Sequence, residues 1–125
     1  MSDKRISLGK QGEAIALQYL SSKGYHIVAT NYRTRCGEID IIAAYREALI
    51  FIEVKTRKSR FLDSPLAAVT EKKQRSISIV AQEYLSRNKK FNSDARFDVI
   101  AIHIGNFGKK SIEHIENAFD LCYGH

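Results

Sequence analysis

Asp40, Glu53 and Lys55 have the types and spacing to do chemistry on a phosphate, provided the chain brings them together. Leu49 to Thr56 is the most strand-like run in the sequence. Strand alternation sends Leu49, Phe51, Glu53 and Lys55 to one face and Ile50, Ile52 and Val54 to the other. Both faces are otherwise apolar, the pattern of a central strand covered on two sides, so Glu53 and Lys55 emerge beside a core. The preceding run, Ile39 to Tyr45, is separated from it by one polar pair, Arg46 and Glu47. An antiparallel hairpin centred on that pair places Asp40 opposite Glu53 and Glu38 opposite Lys55, with opposed Cβ atoms about 4.5–5.5 Å apart. A two- or four-residue loop keeps this register, although Tyr-Arg-Glu-Ala lacks the Gly or Asn favoured in two-residue turns. An odd loop would set Asp40 against Ile52 or Val54 and separate the acids.

Like charges so close are relieved either by a proton on one carboxylate or by a cation between them. Mg²⁺ (or Mn²⁺) suits two hard oxygen ligands, keeps positions free for phosphate oxygens and acidifies water. Lys55 would then orient that water or stabilise developing negative charge. The competing reading makes Asp40 and Glu53 salt-bridge partners of Arg33, Arg35 or Arg57, and Lys55 an ion-pair partner of Glu38. Arg33, Arg35, Arg57, Lys58 and Arg60 flank the acids in sequence and form either a phosphate-binding rim or a merely solvated basic one. His26, His103 and His114 lack metal-ligand spacing and read as structural or surface residues. Cys36 reads as a loop filler rather than a nucleophile, since no His partner can be assigned to it.

The elements that must position these groups follow from periodicity. Leu8, Gly12, Ile15, Ala16, Tyr19 and Leu20 recur at helical steps, and Gly24 supplies a stop. Strands are expected at Tyr25 to Thr30, Ile39 to Tyr45 and Leu49 to Thr56. An irregular segment from Arg57 to Val69 precedes a helix capped by Thr70 and running to about Asn88, with Ile77, Val80, Ala81, Tyr84 and Leu85 inward. Two more strands, Phe97 to Ile104 and Ile112 to Ile115, are joined by the turn-rich GNFGKK, and the tail from Asn117 has no clear assignment. The order α-β-β-β-α-β-β predicts an α/β fold: a mixed sheet with helices packed on it.

At 125 residues and 44% apolar, the chain is sized for one domain, taken as 1–125, with a conventional core. Its net charge of +6 favours a polyanionic partner without requiring one. Cys36 and Cys122 are far apart and form no Cys-x-x-Cys, so neither a disulfide framework nor a zinc ribbon is suggested and a reducing, cytoplasmic setting is the simplest expectation. The N-terminus lacks an apolar leader, and no apolar run approaches the roughly 20 residues that span a bilayer, so a soluble, unprocessed protein without a membrane partner is expected.

GEID (37–40) followed by FIEVKTR (51–57) resembles the Asp, then Glu-x-Lys, signature of restriction-endonuclease-like PD-(D/E)xK nucleases. A closer resemblance, carried by GKQGEAIALQYL, NYRTRCGEIDII, FIEVKTR and AAVTEKKQ, is to the YraN-like family of uncharacterised bacterial proteins, and these blocks cover most of the chain. Ile39 stands where the superfamily's named Pro would be. The resemblance implies similarity to archaeal Holliday-junction resolvases, with Glu13 completing the metal site and Lys73 and Gln74 reaching the site or bound DNA. The expectation is therefore a metal-dependent endonuclease acting on nucleic acid, DNA rather than RNA, with branched or single-strand-containing DNA favoured by the resemblance. The alternative is a nucleic-acid-binding module that keeps the fold and cuts nothing. A chain this small would need a homodimer to span a long duplex.

Overall fold

Ser7 starts the first helix: its hydroxyl accepts the Lys10 N–H at 3.2 Å, supplying one of the partners that a helix N-terminus lacks. The computed structural model describes residues 6–59, 65–90 and 94–121. Helix α1 (Leu8–Ser22) buries Gly12, Ala16 and Leu20 in one stripe, and Gly24, at φ +92°, turns the chain into the first strand. Strands β1 (His26–Thr34), β2 (Gly37–Tyr45) and β3 (Ala48–Arg57) follow. After a 3₁₀ turn at Pro65–Ala68 comes α2 (Glu71–Arg87), capped by the Thr70 hydroxyl on the Lys73 N–H. Strands β4 (Asp94–Ile104) and β5 (Lys110–Phe119) complete the order.

All the expected elements are present, but several strands are longer than their apolar runs. β1 continues through Asn31–Thr34, and β5 takes in Lys110, Ser111 and the segment to Phe119. β5 lies at the sheet edge with most of its residues exposed, so backbone pairing to β4 rather than apolar alternation defines its length. The sheet order is β1-β2-β3-β4-β5, with β3 and β4 parallel and the other pairs antiparallel. α2 is the crossover between the two parallel strands.

The alternation of β3 divides the core. Phe51 packs with Ile77, Val80 and Tyr84 of α2, whereas Ile50 and Ile52 pack with Ala16 and Leu20 of α1. Helices thus cover both faces. The β2–β3 hairpin has the expected register, with Tyr45 opposite Ala48, Ile42 opposite Phe51 and Ile41 opposite Ile52. Its loop is the residue pair Arg46–Glu47; Arg46 takes φ +55° where Gly or Asn would be less strained, and its guanidinium lies 5.2 Å from the Tyr45 ring centroid.

A polar cluster lies on the α1 side of β4 and β5. Asp98 is fully buried, yet Arg96 meets it with two bonds of 2.9 Å, His114 Nε2 lies 2.7 Å away, and the Asn117 N–H donates at 3.0 Å. Tyr19 from α1 hydrogen-bonds His114 Nδ1 at 3.0 Å, and Arg96 also donates to the Tyr25 hydroxyl at 2.8 Å. His114 is therefore structural, as expected, but as a buried tie rather than a surface residue. Burial alone would raise the Asp98 pKa; hydrogen bonds from His114, Arg96 and Asn117 more than offset it and hold the group below its ordinary value of 3.8. A depressed carboxylate contributes stability that is present above its unfolded pKa and lost as pH falls through its folded one. Asp98→Asn should cost about 3 kcal/mol in urea denaturation at neutral pH, and its deficit against wild type should shrink below pH 3.8. A deficit independent of pH would show that the carboxylate charge is not what matters.

Candidate active site

The backbone ladder between β2 and β3 ends at Ile41–Ile52, one step short of the expected Asp40–Glu53 opposition. There the Asp40 carboxylate takes over from the main chain: Oδ2 accepts the Val54 N–H at 2.8 Å. The other flank is irregular at the same level. The β1–β2 pairs run from Thr30–Ile41 to Tyr32–Ile39, and Asn31 between them has φ +50°. Ile39 faces the α2 core while Ile41 faces the α1 core, so the regular alternation of β2 breaks at Asp40. Such distortions re-aim a side chain, and here the side chain is Asp40.

Glu53 is only 4% exposed and sits on the α2 face of β3, beside Asp40. Its Oε2 lies 3.4 Å from Lys55 Nζ and 3.4 Å from Lys73 Nζ. Lys73 occupies the first turn of α2, so the helix brings both an ammonium and its positive N-terminal end toward the acids. Even so, the pair is not fully neutralised. Burial, a hydrogen bond to Glu53 and the Glu53 charge push the Asp40 pKa from 3.8 up to about 8, the Val54 N–H opposes the rise, and Glu13 adds to it. Asp40 thus keeps its proton near neutrality.

Glu13 reaches this neighbourhood from α1. Its Oε1 lies 3.4 Å from Lys10 Nζ and accepts from Asn31 Nδ2 at 3.2 Å, while Lys10 also donates to Asn31 Oδ1 at 3.2 Å. Asn31 therefore ties the helix to the distorted strand. Sequence reasoning missed it; the only signal was its place within NYRTRCGEID. Gly12 makes the approach of α1 possible, because a Cβ there would collide with the Thr56 side chain. Among the described residues no three His, Cys, Asp or Glu side chains converge as a ready-made metal cage. Asp40 and Glu53 nevertheless suit a hard divalent ion, since two carboxylates and water suffice for Mg²⁺ or Mn²⁺ and a cation would relieve the repulsion that a proton now relieves.

The other expected site residues distribute unevenly. Glu38 is not paired with Lys55: the β2–β3 ladder has ended by that level, and Glu38 instead meets Arg33 across the β1–β2 pair at 3.1 Å. Arg35 is exposed in the turn between β1 and β2, and Arg57 and Lys58 are exposed at the end of β3. The ammonium groups on Glu53 thus come from Lys55 and Lys73. Gln74 is turned back on its own helix start, donating to the Val69 carbonyl at 3.0 Å. Arg60 and Cys122 lie outside the described residues.

A family model, "Uncharacterised protein family UPF0102", matches residues 12–102, a span holding α1 from Gly12 onward, both acids, both lysines and most of β4. The chain belongs to this family. Among its relatives, a UPF0102 protein of Geotalea uraniireducens is 47% identical over 94% of this chain and 92% of its own length. Another, from Pelobacter propionicus, is 50% identical over 92% of this chain and 84% of its own. One from Geobacter metallireducens is 45% identical over 98% of this chain and all of its own. The YraN-like resemblance is thereby settled at the level of the family. No helix among the described residues is long and apolar enough to cross a membrane.

The raised Asp40 pKa has a measurable consequence. In the metal-free protein, stability favouring the protonated carboxyl is fully present below 3.8 and is lost as pH rises through about 8. Asp40→Asn keeps an acceptor for Val54 and never ionises. In EDTA its stability relative to wild type should therefore climb as pH rises toward about 9, read from urea melts. Parallel pH–stability curves for the two proteins would contradict the like-charge account.

Proposed function

We propose that this chain is a metal-dependent phosphodiesterase of the restriction-endonuclease-like PD-(D/E)xK kind that cleaves DNA internally. The observation that carries the reading is the Asp40–Glu53 pair, held half-neutralised where the β2–β3 ladder ends, with Lys55 beside it. The element order, the mixed sheet and the Asp, Glu-x-Lys arrangement on adjacent strands support placement in that superfamily.

Asp40 and Glu53 would hold the ion, with Glu13 available from α1 once it leaves Asn31 and Lys10. When bound, Mg²⁺ or Mn²⁺ polarises a phosphoryl oxygen and acidifies water. Lys55, now 3.4 Å from Glu53, would either orient the water or stabilise the developing negative charge. Lys73 offers a second ammonium from α2. Arg33, Arg35, Arg57 and Lys58 supply positive charge for phosphates farther along the strand, contacts that position without reading sequence. DNA is preferred to RNA, and branched or single-strand-containing forms to plain duplex, on the strength of the resemblance to junction resolvases.

A second reading has its own observation. Lys55 and Lys73 already occupy the cation position beside Glu53, and no third acidic or imidazole ligand converges among the described residues. That arrangement fits a nucleic-acid-binding module that does not cut. Binding would then be salt-sensitive and unaffected by Asp40→Ala or Glu53→Ala.

Cleavage of flaps, four-way junctions, single strands, duplexes and RNA, with Mg²⁺, Mn²⁺ or EDTA, separates the two. The nuclease reading expects metal-dependent cutting that Asp40→Asn and Glu53→Gln abolish, while Lys55→Ala lowers kcat on the order of 100-fold. Intact Mn²⁺ binding with no cleavage of any of these would end the catalytic reading in favour of the binding module.

A further inference from the structure

Phe107 is the most exposed large apolar residue described, at 102% of its reference surface. It occupies the turn joining β4 to β5, in a left-handed conformation at φ +59° that an aromatic residue seldom adopts. The turn is a braced structure. The Gly105 N–H bonds the Lys109 carbonyl at 2.6 Å, the Lys109 N–H bonds the Asn106 carbonyl at 3.2 Å, and the ladder continues directly below through Ile104–Lys110. The ring is thus displayed on a fixed support, with none of its own surface buried.

Beside the ring opens a cavity of about 760 Å³, lined among others by His103, Phe107, Lys109, Lys110 and Glu113. Lys109 and Lys110 are both exposed. His103 Nε2 is hydrogen-bonded at 2.9 Å to the Lys58 carbonyl, which fixes the basic end of β3 against β4 just below the turn. An exposed ring beside two lysines matches the chemistry that holds unpaired nucleobases: the π-face takes the base and the ammonium groups take neighbouring phosphates.

The position of the turn links it to the acids. β3 and β4 run parallel, with Glu53 beside Val99 and Arg57 beside His103, so the β4–β5 turn projects from the same end of the sheet that carries Lys55. At about 3.3 Å per residue, the path from the level of Glu53 to the turn is roughly 20 Å. One nucleic-acid strand can reach both places.

We infer that Phe107, with Lys109 and Lys110, forms a stacking site for an unpaired base of a single-stranded segment, so that the substrate must carry single-stranded DNA near the bond presented to Asp40 and Glu53. The inference rests on the nucleic-acid reading above but not on catalysis. An apolar ring held in the open gains little from a regular duplex, whose bases are already stacked on one another, and much from a base that lacks a neighbour.

Binding measured in EDTA isolates the stacking site from cutting. Fluorescence anisotropy with labelled oligo-dT of about 15 nucleotides and with a duplex of matching length compares wild type, Phe107→Ala and Phe107→Trp. The native chain has no Trp, so Phe107→Trp introduces a single reporter at the site. Phe107→Ala should weaken oligo-dT binding about tenfold and leave duplex binding unchanged. Phe107→Trp should retain oligo-dT binding, with its emission quenched by oligo-dT and not by duplex. If Phe107→Ala binds oligo-dT as wild type does, or Phe107→Trp binds it without quenching, the stacking site is wrong while the nucleic-acid reading stands. If wild type binds neither probe, both are wrong.

Discussion

The structure around the candidate site depends on one electrostatic constraint: Asp40 and Glu53 are held side by side, largely out of water, where both cannot carry full charge. Much of the nearby geometry answers to it. Asp40 takes a backbone N–H from β3 at the level where the backbone ladder has ended. β3 sends Lys55 to the same face, and α2 places Lys73 on the same glutamate oxygen. β1 accommodates the break through a left-handed Asn31, which in turn anchors Glu13, and Gly12 lets α1 come close enough for that contact.

The protein treats Asp98, fully buried, and Asp40, partly buried, in opposite ways. Asp98 is surrounded by donors, from Arg96, His114 and the Asn117 main chain, and its pKa falls despite complete burial. Asp40 is given one backbone donor and an acidic neighbour, and its pKa rises. The first arrangement is what a stabilising tie needs, since every lone pair has a partner and β5 gains an anchor that its exposed face cannot supply. The second leaves electrostatic energy unrelieved, a condition that serves stability poorly and serves a site for a cation or a proton well. The contrast within one sheet separates the tie from the candidate site more firmly than either carboxylate does alone.

Local sequence determined much of the fold. Helical spacing with Ser7 and Thr70 at the caps, and the two-faced apolar pattern of β3, are short-range properties that burial enforces, so both helices and the central hairpin register follow from them. That register brings Asp40 to the level of Glu53, but the paired ladder stops at Ile41–Ile52, and the carboxylate's final placement depends on the break in β2 and its bond to the Val54 N–H. Tertiary structure decided what lay beyond the hairpin. Glu38 turned to Arg33 because β2 has two neighbours and its ladder with β3 stops early; Lys73, and not an arginine of the rim, reached Glu53 because the β3–α2–β4 crossover sets the helix over that face. Asn31, the Asp98–His114 tie and the full length of β5 depend on partners from about 16 to 95 residues away. No local pattern encodes such partners, since the free energy that selects them arises only when distant segments bury one another's polar groups.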